Sequence, residues 1–500
     1  MSDIEQIHDV DILKQVARLQ AVEIERLHRK LAEQTEALAK LQGKDPNEAL
    51  QLELDALKSQ LDKHQRKLYG KSSERRGKGD RKKKPAKKRT KFGNRAQPDL
   101  PVESIEHTLP ADDRDCPSCG GQLERMAEVT EDSEEITVVE RTFKLVRHKR
   151  CKYRCRCNSA VVTAPGPHKL VPGGRYSLDF AIRVAIDKYL LHMPLSRQVR
   201  EMATQGLIID SQTLWEQLQH LAKLLEPCHA HIRDYILGAD VIGADETWWP
   251  VMQKKASKKW WVWAISTHDA VFYRVDESRG REAARRCLGD FEGIVVCDGY
   301  SVYQSLAKAR DDLTLAHCWS HVRRKFISAH KTYPDECEAV LDWIDALFAV
   351  EREMPAPDEL EGDAKSGALA LRAKLREERS RPIIEQLQRW AHEQTALPKS
   401  DLGNAIKYMV NQWQGLVRFL DDPMIPLHNN HMERELRNWV LGRKNHYGSR
   451  SRRGTEVAAL FYTLIETAQL HGSDPAQYLR SAAIKAIEYS GTGVAILPNS

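Results

Sequence analysis

Hydrophobic and polar positions follow two different periods along this chain. Between residues 11 and 68, leucines recur at spacings of three, four and seven, as at Leu27, Leu31 and Leu38, with Glu, Lys and Gln between them. Such a seam favours a coiled coil over a single amphipathic helix that packs on its own body. GKDPN at 43–47 divides the seam into two segments, because glycine and proline end helices.

A second helical region covers residues 176–236 and has the pattern of a helix-turn-helix. One helix is predicted over 196–204, a turn at Gly206, and a second helix that Ser211 caps. The second helix carries three leucines on one face: Leu214, Leu218 and Leu221. Helical hairpins with a glycine turn are common, so the pattern alone leaves DNA recognition by this region open.

From residue 239 the pattern changes to short apolar runs typical of strands. Three such runs come first: DVIGADETW, KWWVWAIST and DAVFYRVD. A helix, a buried strand (GIVVCDGY), a further strand (LTLAHCW) and the helix SHVRRKFISAH follow. This order predicts an RNase H-like α/β sheet. Residues 330–425 are helical and charged, which indicates an insertion, and the core resumes at NNHMERELRNW.

Composition and charge narrow the class of protein. The chain has no run of 18 apolar residues and no apolar signal segment at its start, so we expect a cytoplasmic protein whose ten cysteines are thiols or metal ligands. The net charge is +6, but residues 75–95 hold twelve Lys or Arg and one Asp, which leaves −5 on the rest. A basic island on an acidic body predicts a polyanionic partner, with a solvated linker as the alternative.

Two groups of cysteines predict a structural zinc site. Cys116 and Cys119 form a Cys-x-x-Cys pair followed by two glycines, whose backbone N–H groups can approach the sulfurs. About thirty residues later come Cys151, Cys155 and Cys157, of which a four-thiolate site needs two. Redox thiols or chance spacing are the alternatives.

Two aspartates end predicted neighbouring strands of the sheet. Asp245 is expected at the end of the first strand and Asp298 at the end of the fourth, so their carboxylates should meet at one edge. Close carboxylates stay ionised when a divalent cation lies between them, here Mg²⁺ or Mn²⁺. A third carboxylate from a helix would complete a two-metal site for phosphoryl transfer. Taken singly, each aspartate is better explained as a polar residue at a strand end or in a turn, whereas the two together in this strand order favour the metal site.

Several motifs along nearly the whole chain resemble the transposases of the insertion sequence 66 family. The matching stretches are KLYGKSSERR, CPSCGG, ADETWW, CDGYSVY, HCWSHVRRKF, NNHMERELR, GRKNHYGS and LIETAQLHGSDPAQYL. The resemblance implies a DDE transposase with the triad Asp245, Asp298 and Glu433. The family's second zinc pair is usually Cys-x-x-Cys, whereas this chain has Cys155-Arg-Cys157 preceded by Cys151, so the fourth ligand stays open.

The implied fold class is a multidomain α/β protein with an N-terminal coiled coil, a zinc-binding module, a helical DNA-binding region and an RNase H-like catalytic domain with a helical insertion. The expected boundaries are 1–72 for the coiled coil, 73–100 for a basic disordered linker, 101–172 for the zinc-binding module, 173–238 for the helical DNA-binding region, 239–480 for the catalytic domain with its insertion at 330–425, and 481–500 for a tail.

The third acid can also be argued from its neighbours. Glu433 and Glu435 both flank the apolar stripe of the predicted helix, so helical phase does not separate them. Asn429 and Arg437 lie four residues on either side of Glu433 and share its face, where the three could orient a metal-bound phosphate. We therefore predict Glu433 as the metal ligand and Glu435 as a packing residue.

Two basic groups are expected along the path of the DNA, and phosphate contacts of this kind give affinity without sequence choice. The predicted DNA-binding residues are Arg323, Arg324, Lys325, Arg434, Arg437, Arg443 and Lys444.

The function that follows is nicking of transposon ends and joining of the freed 3′-hydroxyl to target DNA, with Mg²⁺ or Mn²⁺ at the catalytic site and structural Zn²⁺. The expected partners are DNA, further copies of the chain in a homo-oligomer, and accessory proteins of the same element. The alternatives are a catalytically decayed DNA-binding or assembly protein and an RNase H-like nuclease without joining activity.

Overall fold

The computed structural model describes residues 142–154, 161–253, 256–355, 357, 360–489 and 497. The predictions outside the described residues are the coiled coil over 1–72, the basic linker over 73–100, and the thiols of Cys116, Cys119, Cys155 and Cys157. Among the helices of the described residues, none combines the length and the apolarity that a bilayer-spanning segment requires.

A short antiparallel ribbon opens the described part of the chain. Its strands are β1 (Lys152–Arg154) and β2 (Val161–Thr163), and the Ala164 N–H extends the ladder by donating to the Cys151 carbonyl at 2.9 Å. Cys151 is exposed and directly precedes β1. The second group of predicted zinc ligands therefore begins where this ribbon begins.

Three helices follow: α1 (Leu178–Tyr189), α2 (Leu195–Thr204) and α3 (Ser211–Leu237). Gly206 makes the turn before α3 with a φ of +82°, a conformation in which a Cβ is strained. The predicted N-cap was wrong by one residue. Asp210 caps α3 by accepting the Thr213 N–H at 2.7 Å, and Ser211 is the first helical residue.

Helix α3 is a core element of 27 residues, much longer than the second helix of a helix-turn-helix requires. The leucines predicted on one face, Leu214, Leu218 and Leu221, are fully buried. Helix α3 contacts α1 and strand β5, described below. This face of α3 is therefore used in packing.

The central sheet has five strands in the order β5-β4-β3-β6-β7. Their bounds are Val241–Gln253 for β3, Ala256–Ser266 for β4, Val271–Asp276 for β5, Gly293–Cys297 for β6 and Leu313–His317 for β7. Strands β3, β4 and β5 pair antiparallel, whereas β6 pairs parallel with both β3 and β7. All five strands were predicted from their apolar runs.

The helices after β5 alternate with strands and then form a helical segment. These are α4 (Arg281–Leu288), α5 (Ser301–Ala307), α6 (Trp319–Ala329), α7 (Pro334–Arg352), α8 (Gly362–Leu375), a π-helical turn (Arg376–Ser380), α9 (Arg381–Glu393), α10 (Asp401–Asn411), α11 (Trp413–Val417), a 3₁₀ turn (Arg418–Leu420), α12 (Asn430–His446), α13 (Arg452–Leu470) and α14 (Pro475–Glu488).

The helical segment from α7 to the 3₁₀ turn shares one apolar core with the sheet. Its buried side chains, such as Ile344, Leu387 and Met409, pack in a cluster with Val296 of β6 and Ala316 of β7. This shared core holds the predicted insertion beside the parallel half of the sheet.

Helix α12 is held against β3 at both of its ends. At its start, the Asn429 side chain donates to the Ala244 carbonyl at 3.0 Å, and a Cβ at Gly243 would lie 2.6 Å from Asn429 Oδ1. After its end, the Ser449 N–H donates to the Pro250 carbonyl at 3.0 Å. Gly448 allows this return, because its φ is +104° and a Cβ would strike that carbonyl.

Candidate active site

Asp245 and Asp298 occupy equivalent positions beyond the parallel pairing of β3 and β6. That pairing runs from Val241–Ile294 to Gly243–Val296, and each aspartate lies two residues past its last pair. The prediction that Asp245 ends its strand was wrong. It is the fifth residue of β3, which continues because its antiparallel pairing with β4 extends to Gln253. What ends near Asp245 is the parallel ladder, so both carboxylates lie where the two strands separate.

Glu433 reaches the same site from helix α12. It is the fourth residue of the helix, and its N–H bonds to the Asn429 carbonyl at 3.1 Å. Met432 and Trp439 are fully buried on the inner face of α12, while Glu433 is half-buried. Because Asn429 fixes the first turn against β3, the side chain of Glu433 is held near the strand that carries Asp245.

The three predicted carboxylates influence one another electrostatically. Burial raises the pKa of Asp245 well above its usual value, and the negative charges of Glu246, Asp298 and Glu433 raise it further. Hydrogen bonds to Asp245 and Asp298 come from the backbone, from Glu246 N–H at 2.7 Å and Tyr300 N–H at 2.9 Å. Neither aspartate forms an ion pair with a described residue.

Glu433 differs from the two aspartates because it has a cationic neighbour, Arg324, and an imidazole neighbour, His321. Its Oε2 lies 3.0 Å from Arg324 Nη2, and its Oε1 lies 3.4 Å from His321 Nε2. Burial lowers the pKa of His321, although the charge of Glu433 opposes this shift. Burial therefore favours the neutral imidazole, which does not cancel the charge of Glu433.

Glu246, the other acid of the opening strand, has a structural partner. Its side chain is buried and receives the Arg279 guanidinium at 2.6 and 2.9 Å and the Tyr303 hydroxyl at 3.0 Å. Burial raises its pKa and the Arg279 bonds oppose that rise. Adjacent acids thus differ: Glu246 is paired inside the protein, whereas Asp245 is left for an outside partner.

Cys318 and His321 also lie at this site, although neither was predicted there from the sequence. One ligand atom each of Cys318, His321 and Glu433 lie within 4.8 Å of one another, close enough to share a metal ion. However, burial raises the pKa of Cys318, and its sulfur accepts the Asn429 N–H at 3.2 Å. The motif HCWSHVRRKF could have indicated these two residues, because Cys318 and His321 lie three residues apart at the start of α6.

The basic residues predicted on α6 already have partners. Arg323 Nε lies 2.8 Å from Asp345, Arg324 pairs with Glu433, and the exposed Lys325 ammonium lies 5.2 Å from the centre of the Tyr408 ring. Of these three, Lys325 is the most available to a phosphate, whereas Arg324 belongs to the carboxylate site.

The basic residues predicted on α12 differ in exposure. Arg434, Arg437 and Lys444 are exposed. Arg443 is half-buried, donates to the Trp248 carbonyl at 2.5 Å, and lies 4.1 Å from the centre of the Trp248 ring. The outer face of α12 therefore presents three exposed positive charges along the helix that carries Glu433.

Two family models match the chain. The model described as the Transposase IS66 family matches residues 173–457, and the model described as the zinc-finger binding domain of transposase IS66 matches residues 113–158. The first covers more than half of the chain, including every residue of the candidate active site. The second includes all five cysteines considered for zinc.

Curated relatives extend over about three quarters of the chain. Two proteins of Sinorhizobium fredii, described as uncharacterized proteins y4jD and y4qI, are each 31% identical to it. The matches cover 76% of this chain and 76% of y4jD, and 75% of this chain and 70% of y4qI.

A solved structure, the Mos1 transposase paired-end complex with left transposon end, is 10% identical to the chain with a TM-score of 0.11. That match covers 51% of this chain and 81% of the other, and at this score it supports no conclusion about fold or function.

Proposed function

Because this chain belongs to the transposase IS66 family, we propose that it is a DDE transposase that binds transposon ends, nicks them and joins the freed 3′-hydroxyl to target DNA. The observation that carries the proposal is the grouping of three carboxylates from β3, the end of β6 and helix α12. Asp245 and Asp298 form no ion pair with a described residue, and Asp245 is half-buried beside like charges. Such an arrangement is stable in ionised form when a cation is added.

In this proposal the catalytic domain is RNase H-like and carries a helical insertion. The order β5-β4-β3-β6-β7, with three antiparallel strands followed by two parallel ones, supports this assignment. The segment from α7 to the 3₁₀ turn is the insertion, and it lies in sequence between the second aspartate and Glu433. The insertion packs on β6 and β7 and so adjoins the site without interrupting it.

The residues present fit Mg²⁺ or Mn²⁺. Asp245, Asp298 and Glu433 would hold the ions through oxygen atoms, the ligands that these cations prefer. Bound divalent ions would stabilise the charge that develops on the attacking and leaving oxygens during phosphoryl transfer. The thiol of Cys318 does not fit this role, because its raised pKa keeps it protonated and its sulfur accepts a backbone N–H.

Other residues of the chain orient the site and bind DNA. Arg324 holds the Glu433 carboxylate in place through a hydrogen bond of 3.0 Å from Nη2 to Oε2, and His321 Nε2 lies 3.4 Å from Oε1. The exposed cations of α12, Arg434, Arg437 and Lys444, would contact phosphates of the DNA backbone. Water attacks first and the freed 3′-hydroxyl attacks second, so the reaction needs no covalent bond between enzyme and DNA.

The N-terminal regions supply assembly and end recognition in this proposal. Zinc would be held by Cys116, Cys119, Cys155 and Cys157, with Cys151 as the substitute for Cys157. The zinc-finger model, which spans these residues, supports a structural zinc ion. The leucine seam over 1–72 would bring copies of the chain together or dock accessory proteins of the element. The basic island over 75–95 would add sequence-independent attraction to DNA.

A strand-transfer assay with labelled element ends and a plasmid target tests the proposal. Glu433→Gln, Asp245→Asn and Asp298→Asn should each reduce end cleavage and joining by about 1,000-fold or more, since a metal ligand acts in the transition state. DNA binding should stay near normal, because these side chains are not cations. Glu435→Gln is the matched control on the same helix and should retain activity.

The alternatives predict different results. A wild-type chain that cuts ends without joining them would be a nuclease, and one that binds without cutting would be a decayed assembly protein. Full activity in Glu433→Gln, or selective loss in Glu435→Gln, would show that the wrong carboxylate of α12 has been chosen.

A further inference from the structure

Cations and aromatic rings alternate across the β3–β4 ribbon beside the candidate active site. Arg443 lies 4.1 Å from the Trp248 ring centre, and Lys259 lies 5.5 Å from the same ring and 4.9 Å from that of Trp261. Arg279 then lies 4.7 Å from the Trp261 ring and 4.0 Å from that of Tyr300. We call this row the stacking strip; its members are Arg443, Trp248, Lys259, Trp261, Arg279 and Tyr300.

The strip lies on one face of an accessible antiparallel ribbon. Trp248 and Trp261 are directly opposite each other in the β3–β4 register, so their side chains are neighbours on the same face. Trp248 is 40% exposed, whereas Trp249, the next residue, is 1% exposed and packs edge-on against Trp439. Packing in the core therefore explains why residue 249 is a tryptophan, whereas core packing does not explain the exposed Trp248.

One end of the strip reaches the carboxylates. The Tyr300 N–H donates to Asp298, and the Tyr300 hydroxyl donates to the Arg279 carbonyl at 3.0 Å. Arg279 is also bound to Glu246, the neighbour of Asp245. A molecule that follows the strip toward Tyr300 therefore arrives at Asp298, one of the three carboxylates assigned to phosphoryl transfer.

The charge of the strip indicates an anionic occupant. Arg279 is neutralised by Glu246, but Lys259 and Arg443 form no ion pair with any residue that the structure describes. Two cations without such an ion pair, interleaved with the exposed Trp248 ring and the half-buried Trp261 ring, match a strand of nucleic acid, whose phosphates bind cations and whose bases stack on aromatic side chains. In a duplex the base faces are covered by their neighbours, so stacking requires unpaired bases.

We propose that the stacking strip binds unpaired DNA next to the scissile phosphate, with bases stacked on Trp248 and Trp261 and phosphates held by Lys259 and Arg443. The assignment of the occupant as the strand being cut rests on the proposed transposase function. The preference for unpaired over paired DNA does not, because it follows from the Trp248 and Trp261 rings and the charges of Lys259 and Arg443 alone.

Binding of a fluorescein-labelled, mixed-sequence single-stranded 20-mer to the full-length chain, measured by anisotropy without divalent ions, tests the strip. The same oligonucleotide annealed to its complement is the comparison. Trp248→Ala should weaken single-strand binding by about 5-fold to 100-fold, the range expected for one lost stacking contact. Duplex binding should change by less than about 2-fold. Trp248→Phe, which keeps a ring, should restore most of the single-strand affinity.

A matched pair of lysine variants separates the contribution of a cation in the strip from the general attraction of positive charge to DNA. Lys259→Gln should weaken single-strand binding more than Lys331→Gln, which removes an exposed lysine at the end of α6, outside the strip. Measurements at low and at elevated KCl reduce the contribution of the basic island, because its phosphate contacts fall steeply with salt while stacking does not.

The results of this binding assay can be distinguished from a failure of the proposed function. The proposal for the stacking strip would be wrong if Trp248→Ala lost equal affinity for single-stranded and duplex DNA. It would also be wrong if single-strand binding were unchanged in Trp248→Ala with an unaltered unfolding temperature. If the carboxylate variants still cleaved DNA, the proposed function would be wrong. The conclusion about the stacking strip would remain valid, because the binding assay needs no catalysis.

Discussion

Two half-buried acidic groups in this molecule have opposite electrostatic settings. In the helical segment, Glu351 contacts Arg376 at 2.7 and 2.9 Å and Arg372 at 2.8 Å. Although burial alone would raise the pKa of Glu351, these two arginines hold it below its usual value. At Asp245 burial acts without a cation, and the neighbouring carboxylates raise the pKa further. A paired carboxylate completes the fold, whereas an unpaired group of carboxylates indicates a site that something else must complete.

The surroundings of Arg376 explain why the first group belongs to the fold. Its side chain is fully buried and donates to the carbonyls of Phe419, Asp422 and Ile425 as well as to Glu351. One guanidinium thereby ties the π-helical turn to the end of α7 and to the chain that leads toward α12. No comparable bond connects Asp245 or Asp298 to a described side chain, so their charges are not used to hold the fold.

The largest effect on stability is expected from removing Arg376. Arg376→Ala leaves Glu351 Oε1 and three carbonyls without their donor, which should lower the free energy of unfolding by about 3–5 kcal/mol. Arg372→Ala is the matched control, because Glu351 keeps Arg376, and it should cost about 1 kcal/mol. Urea unfolding followed by tryptophan fluorescence measures both. Equal losses in the two variants would show that the carbonyl contacts of Arg376 contribute little.

The opposite behaviour is expected at the carboxylate site. Without divalent ions, Asp245→Asn should be at least as stable as the wild type, because it removes a buried charge that repels its neighbours. Added Mn²⁺ or Mg²⁺ should stabilise the wild type by about 2.7 kcal/mol at 100 times the dissociation constant, since the ions bind only the folded chain. This gain should be lost in Asp245→Asn and Asp298→Asn.

Glu435→Gln is the control for the metal titration, because Glu435 lies on α12 but is buried away from the carboxylate site. It should keep the full stabilisation by Mn²⁺. Thermal unfolding monitored at several ion concentrations measures the shift. Stabilisation that survives in both aspartate variants would place the ion elsewhere, for instance at Cys318 and His321.

The sequence predicted the strands because their apolar runs report burial directly. The runs around Val262 and Val295 are fully buried in the sheet. The hydrophobic pattern did not predict the end of the strand that carries Asp245. Strand β3 continues past its parallel pairing with β6 because it also pairs with β4. A change of partner leaves no mark on the hydrophobic pattern of a single strand.

The partners of the site residues were also beyond the sequence. Arg279 is 33 residues from Glu246, and Arg324 is 109 residues from Glu433. Contacts over such separations are set by the packing of the sheet and helices and not by local spacing. The prediction of the N-cap of α3 failed for a local reason, because Asp210 and Ser211 are adjacent and both are good N-cap residues.

The last prediction concerns an acidic residue that forms no ion pair with a described residue and lies outside the candidate active site. Glu466 of α13 is buried, and burial raises its pKa well above the usual value. The Tyr273 hydroxyl is in hydrogen-bond contact with this carboxyl group and lies 3.0 Å from the Glu435 carbonyl. A hydroxyl has one proton, so it can donate to only one of them. A protonated Glu466 satisfies both contacts by donating to Tyr273, which then donates to Glu435.

A raised pKa means that the folded chain keeps a proton that the unfolded chain releases above about pH 4.3. Stability is therefore lost as the pH rises from that value toward the folded-state pKa, by at most about 1.4 kcal/mol per pH unit. Glu466→Gln removes this dependence, so the variant should gain stability relative to the wild type as the pH rises. Glu456→Gln, at a half-exposed position of the same helix, should show a constant difference. Urea unfolding at about pH 5, 6, 7 and 8 measures the slopes, and parallel curves for wild type and Glu466→Gln would mean that Glu466 is ionised in the folded protein and that the proton assignment is wrong.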